Sequence, residues 1–301
     1  MNINVINRRY AIGLSILAIF CSVEAASASP FATEIYATSG NFDKKHLYGD
    51  PNAMLGKPTT RAKNQFRWGN SGPTYRTKII EPAHNVDLKG NKTLTTIKKN
   101  QWVIVKFDHK IKDDPKNPYG IDFIVFGNAF LGGGGASDKT NMNTRNVKGI
   151  FSESVTVSVS PGYQGLAGEK KNDHTTWKWY TYTNPKADSY FPTQAYHWDP
   201  KNARWTDKEM DFTKPVDPAL KAKIESGKMT AAEVIKAYKG SGGGTGFDLK
   251  ESGFKSIQYI KVSGSGEVDA FADVSAAPEP ATIGLLAVGG IALLRRRRKR
   301  K

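Results

Sequence analysis

Apolar residues recur at every second position in three stretches of the chain, and a fourth is apolar almost without interruption. Trp102-Val103-Ile104-Val105-Lys106-Phe107 sets Val103, Val105 and Phe107 on one face. Ser154-Val155-Thr156-Val157-Ser158-Val159 does the same with its three valines, and Ile257-Gln258-Tyr259-Ile260-Lys261-Val262 alternates again. Side chains alternate across a strand, so this pattern predicts strands with one face buried. Asp122-Phe123-Ile124-Val125-Phe126 predicts a strand covered on both faces. Gly and Pro clusters such as Asp113-Asp114-Pro115-Lys116-Asn117-Pro118-Tyr119-Gly120 separate the runs, the punctuation of an all-β, two-sheet antiparallel β-sandwich rather than an α/β fold. One helical insertion is predicted around 217–240. Asp217 caps a helix that starts at Pro218 and runs toward Ile224. Thr230-Ala231-Ala232-Glu233 is a capping box that opens a second helix through Val234, Ile235 and Tyr238 to Gly240.

The two ends follow a different pattern, and apolar helices are expected in both. Arg8 and Arg9 precede an apolar stretch from Tyr10 to Val23, and Ala26-Ser27-Ala28 has the small-x-small form that signal peptidase accepts. Cleavage is expected after Ala28, with Ala25 as the alternative. Cys21 is not a lipoprotein cysteine, because the bulky Phe20 precedes it. At the other end Pro278-Glu279-Pro280 leads into the apolar run 281–294 and then into seven cations, Arg295 to Lys301. That run is shorter than the roughly 20 residues that cross a bilayer comfortably, and the cations would stay on the cytoplasmic side. Transient membrane association through 281–294 is the expectation. The division is therefore 1–28 signal peptide, 29–277 body and 278–301 tail.

The tail resembles the PEP-CTERM sorting signal, the substrate of exosortase in Gram-negative bacteria that make exopolysaccharide. That resemblance implies an exosortase-type partner that removes the tail after transient inner-membrane anchoring, and an extracellular or cell-surface destination. The body resembles secreted proteins with a discoidin-like, galactose-binding-like jelly roll. The residues that carry this are Asn117 to Phe130, Ser152 to Ser160, Gly244-Thr245-Gly246-Phe247-Asp248-Leu249 and Glu267 to Val274. The resemblance implies two antiparallel sheets face to face and no settled activity. Jelly rolls of this kind hold a structural Ca²⁺ where the first and last strands meet, which makes Glu34 and Asp269 the metal candidates.

Composition narrows the chemistry. Of 44 Lys and Arg, two lie in the leader and seven in the tail; of 28 Asp and Glu, Glu24 and Glu279 go, so 35 cations face 26 anions in the body. A mildly basic exported body suits acidic polysaccharide, and it carries no stripe or motif for nucleic acid. Without Cys21 the body has no cysteine, so its stability rests on its core. Gly132 to Gly135 lacks the Lys-Ser/Thr ending of a phosphate loop, and Gly242-Gly243-Gly244 is likewise read as a loop. The five histidines, His46, His84, His109, His174 and His197, lack zinc-helix spacing and are read as surface or packing residues. No Gly-x-Ser-x-Gly elbow occurs. Asp113 and Asp114 in a Pro-rich turn, and Asp269 and Asp273 beside the last strand, offer the hard oxygens that Ca²⁺ takes.

Aromatics concentrate between Trp177 and Trp205, interleaved with Asn184, Gln194 and Asp199. Flat rings stack on sugar C–H faces while amides bind hydroxyls, so this stretch is a candidate glycan platform. Trp177 and Trp179 are read as buried, and Trp198, Trp205 and Tyr196 as the glycan-binding candidates, with the two tryptophans exposed. The expected role is a non-enzymatic, exopolysaccharide-associated surface or biofilm-matrix protein. The alternative is an extracellular polysaccharide hydrolase, which needs paired carboxylates converging in a cleft.

Overall fold

The computed structural model describes residues 28–40, 42–46, 48–63, 74–76, 86–133 and 141–274. Both expected terminal helices, the cleavage motif up to Ser27, the Pro278-Glu279-Pro280 motif and His84 lie outside the described residues. The described residues contact one another as one unit. Among the described residues, no helix is long and apolar enough to cross a membrane.

Among the described residues, fifteen strands and two short α-helices follow one another: β1 (Glu34–Thr38), β2 (Arg61–Lys63), β3 (Thr74–Arg76), β4 (Val86–Asp87), β5 (Thr95–Lys112), β6 (Phe123–Phe126), β7 (Phe130–Leu131), β8 (Ile150–Phe151), β9 (Ser154–Ser160), β10 (Tyr180–Thr181), β11 (Tyr196–Asp199), β12 (Arg204–Glu209), α1 (Leu220–Glu225), α2 (Ala231–Ala237), β13 (Thr245–Phe247), β14 (Ser256–Val268) and β15 (Ala270–Asp273). A five-stranded sheet has the order β1-β5-β14-β9-β10 and a three-stranded one the order β13-β6-β15, and every strand pairing in both is antiparallel. The regular structure of the described residues is thus mostly strand, with few helices.

The alternating patterns translate directly into packing. Val103, Val105 and Phe107 of β5, Val155, Val157 and Val159 of β9, and Ile260 and Val262 of β14 are all fully buried in one core. Phe123 and Val125 of β6, Phe247 of β13 and Phe271 of β15 enter the same core from the three-stranded sheet. Ile124 and Phe126 leave the opposite face of β6 to pack with Ala270, Ala272, Tyr196 and Phe212. β6 is therefore covered on both sides, which is why its sequence is apolar throughout. Gly244 closes over that second face. Its φ is +83°, and a Cβ there would stand 2.5 Å from the Ile124 Cγ2 methyl, so only glycine fits.

A third cluster builds around the helices. Leu220, Ile224, Ala231, Val234, Ile235 and Tyr238 bury against Phe191, Met142, Val147 and Trp198. The second helix has the cap the sequence predicts, whereas the first has Ala219 at its N-cap and no side-chain cap, Asp217 lying in the turn ahead of it. Asp217 accepts from the Ala219 amide, and Thr230 and Glu233 form a reciprocal capping box. The first helix begins at Leu220, two residues after the expected start at Pro218.

One feature of β5 does not follow from alternation. Ile111 faces Ile257 and Lys106 faces Tyr259, so five steps on β5 oppose two on β14. The surplus bulges at Phe107 to Lys110 and is braced by Gln258 Nε2 donating to the Phe107 carbonyl at 3.0 Å. Bulges re-aim side chains. This one turns Ile257 into the core and carries Asp108 and His109 toward the last strand.

Candidate functional site

The glycan candidates all sit on the β11–β12 hairpin. Trp198 faces Trp205 across the pair, their rings T-shaped at 4.9 Å, and a register shift separates Trp198 from Tyr196. Trp198 is only 8% exposed and Trp205 is half-buried, against the expectation that both are exposed. The hairpin lies between the helical cluster and the second face of β6. Its rings are needed as cover there, Trp198 in the former cluster and Trp205 against both. Trp198 Nε1 donates to Asn143 Oδ1 at 2.9 Å, satisfying the indole. Tyr196 is 4% exposed and its hydroxyl accepts from Arg61 Nε at 3.1 Å. Trp177 is buried and Trp179 half-buried, as loop residues rather than strand partners. Trp177 packs on Tyr36 and Tyr259 of the five-stranded sheet.

Two grooves flank the hairpin. One, of about 750 Å³, runs between β11 and α2 and is lined by Asn143, His197, Trp198, Thr230, Glu233, Lys236 and Lys239 among others. Burial, and secondarily the charge of Lys208, holds the His197 imidazole below its ordinary range, so it is neutral at pH 7. Lys236 and Lys239 are exposed at the rim. The second groove, of about 640 Å³, is lined by Lys57, Thr59, Thr60, Arg61, Tyr196, Asp207 and Glu209 among others. Its charges are largely committed: Lys57 pairs with Glu209 at 2.6 Å and Arg61 with Asp207 at 3.7 Å.

The two Ca²⁺ candidates have separate surroundings. Glu34 pairs with Lys106 at 2.8 Å across β1 and β5, where the two residues face each other in register. Asp269 is buried at the β14–β15 corner. Its oxygens lie 3.4 and 3.2 Å from the Thr59 amide, and burial pushes its carboxyl up to about 8. Three other carboxylates do converge: oxygens of Asp113, Asp122 and Asp248 lie within 4.8 Å of one another. Asp122 there accepts from the Asp114 amide at 3.0 Å, Asn117 Nδ2 at 2.9 Å and the Leu249 amide at 2.8 Å. This cluster ties the Pro-rich turn, in which Asp113 and Asp114 were singled out, to the segment after β13. Desolvation raises the Asp122 pKa in spite of those bonds.

Sequence reasoning missed the role of His109. The β5 bulge places its Nδ1 2.7 Å from Asp108 Oδ1 and its Nε2 2.7 Å from Asp273 Oδ2. Burial on its own would lower the imidazole pKa, but the bonds to Asp108 and Asp273 outweigh it and the net shift is upward. Asp108 Oδ2 also accepts from the Ser29 amide at 3.0 Å, and the Asp273 amide donates to the Pro30 carbonyl at 2.8 Å. Both ring nitrogens face carboxylates, so neither is free to deprotonate a hydroxyl nucleophile. The group is a clasp that ties the chain entry to the last strand. The available signals were the Asp108-His109 dipeptide and Asp273 beside the last strand, but only the bulge brings them together.

The described residues form an antiparallel β body with two grooves beside the β11–β12 hairpin. Residues 276–299 match the model of the PEP-CTERM protein-sorting motif. No curated protein matches the chain. The motif marks an exported protein that is sorted to the cell surface and processed by exosortase.

Proposed function

We propose that this chain is a non-catalytic surface or matrix protein of a Gram-negative exopolysaccharide producer, with a jelly-roll β-sandwich body that binds acidic glycan. The observation that carries the reading is the sorting motif at 276–299. The tail holds the chain at the inner membrane through 281–294 until it is removed. A sandwich is supported by the core that the five- and three-stranded sheets share. Glycan binding is assigned to the groove between β11 and α2. Lys236 and Lys239 attract uronate or sulfate groups, while Asn143 and the edge of Trp198 meet the sugar. The surplus of 35 cations over 26 anions in the body draws such a polymer in.

A hydrolase needs free carboxylates in a cleft, and the groove carboxylates have other work. Glu209 and Asp207 pair with Lys57 and Arg61, and Glu233 caps α2. These commitments support the non-catalytic reading. The test is retention of the purified protein on immobilised acidic exopolysaccharide. We expect retention that weakens with salt, as the Debye length falls from about 10 Å at 0.1 M to about 3 Å at 1 M. The double variant K236Q/K239Q should lose most of it while melting as wild type. Retention indifferent to that variant would refute the groove assignment, and release of soluble sugar would establish a hydrolase.

A further inference from the structure

The groove between β11 and α2 holds a side chain whose hydrogen-bonding capacity the fold leaves unused. His197 lies between the buried Tyr196 and Trp198 on β11 and is itself half-buried in the groove wall. Thr206 Oγ1 donates to its carbonyl at 3.1 Å, which ties its backbone to β12. Its ring lies against the chain leaving α2, where a Cβ on Gly240 would stand 3.8 Å from Cε1. Both ring nitrogens are open to solvent, and among the described residues neither has a hydrogen-bond or ion-pair partner.

Other polar side chains of the groove are already engaged or can only donate. Asn143 Oδ1 accepts from Trp198 Nε1 at 2.9 Å, and its Nδ2 donates to the Pro200 carbonyl at 2.8 Å. Thr230 and Glu233 are tied to each other at the first turn of α2. Glu233 Oε2 there accepts from the Thr230 amide at 2.8 Å and from its hydroxyl at 3.1 Å. Lys236 and Lys239 lie toward the opposite end of the helix, beside Gly240 and hence beside His197. An ammonium donates and never accepts, whereas a neutral imidazole has one donor and one acceptor nitrogen. Of these three groups, only His197 can accept a hydrogen bond from a ligand hydroxyl.

On the footing that this groove binds glycan, we propose that His197 sets which acidic glycan it takes: a polyuronate, whose carboxylates pair with Lys236 and Lys239 while a neighbouring hydroxyl donates to the imidazole. A densely sulfated chain presents acceptors in place of that hydroxyl, and an acceptor facing the unprotonated nitrogen is disfavoured. The charged groups around the ring are Lys208 of β12 and Glu233, Lys236 and Lys239 of α2. Burial, then the charge of Lys208, holds the imidazole below its ordinary range, so the acceptor is present at pH 7. Protonation removes the acceptor and adds a third cation. The preference for polyuronate is therefore lost as pH falls through the folded pKa, in a range where uronate carboxylates are still ionised.

The experiment measures Kd of the full chain for alginate, a polyuronate, and for dextran sulfate, at pH 7.5 and at pH 5. The readout is the ratio of the dextran sulfate Kd to the alginate Kd, which cancels charge effects common to both polymers. In wild type the ratio should fall about tenfold from pH 7.5 to pH 5, the worth of about one hydrogen bond. H197A should show the low ratio at both pH values. H197Q keeps a neutral donor and acceptor and should hold the high ratio at both; it also serves if H197A does not fold. A ratio that ignores pH in wild type, or falls equally in wild type and H197Q, would overturn the role of His197. The groove reading would survive that result if K236Q/K239Q still weakened alginate binding. Alginate binding unchanged in K236Q/K239Q would instead overturn the groove reading, and the role of His197 with it.

Discussion

Replacing His109 with alanine tests the clasp between the chain entry and the last strand, and pH separates its electrostatics from simple packing. A carboxylate only accepts hydrogen bonds, so a histidine between two of them satisfies both only when each nitrogen carries a proton. The folded pKa is raised, so the stabilisation is fully present below the unfolded value near 6.5 and is lost as pH rises through the folded value. Hydrogen bonds to charged groups contribute roughly 1.5–3 kcal/mol each. The Asp273 side chain is 3% exposed and takes the full figure, whereas Asp108 at 41% is screened to about 0–1 kcal/mol. H109A should therefore cost about 2–3 kcal/mol at pH 5.5, a fall in Tm of about 5–10 °C for a body of this size. At pH 9 the neutral ring keeps one donor, and the deficit should shrink to about half. The measured quantity is the wild-type minus variant difference by calorimetry. Both proteins also lose stability progressively from the ordinary carboxylate range up to about pH 8, because Asp188 and Asp269 stay protonated in the folded state over that window while the unfolded chain ionises them, and the difference cancels that loss. A deficit that stays constant from pH 5.5 to 9 would refute the charged clasp and leave His109 a packing residue.

Secreted material should begin at Ser29 and end near Pro278-Glu279-Pro280 by intact-mass spectrometry; recovery of Arg295 to Lys301 in it would sink the sorting reading. Cleavage after Ala28 also turns the Ser29 amide that donates to Asp108 into an ammonium. Protein starting at Ser29 should therefore melt above protein that retains Ala28, by up to about 1 kcal/mol given the exposure of that pair. Val157 is fully buried and pairs with Val262 in the shared core. V157D should unfold or aggregate, because an unpaired buried charge costs several kcal/mol against a total of about 5–15; unchanged melting would remove that face from the core.

Local periodicity determined much of this protein. The period-two valines of β9, the doubly buried run of β6 and the Thr230–Glu233 capping box depend on residues a few positions apart, and the structure places each as its pattern predicts. The tail was equally legible, because it is recognised as a linear motif. Surface exposure was not legible. Trp198 and Trp205 have the composition of a sugar platform, but the helices on one side of their hairpin and β6 on the other turn them inward. The polar constellations were the least legible of all. His109 meets Asp273 across 164 positions, through a bulge set by pairing with β14. Spacing along a chain carries no record of such encounters, since strand register and loop path decide them once the core has formed.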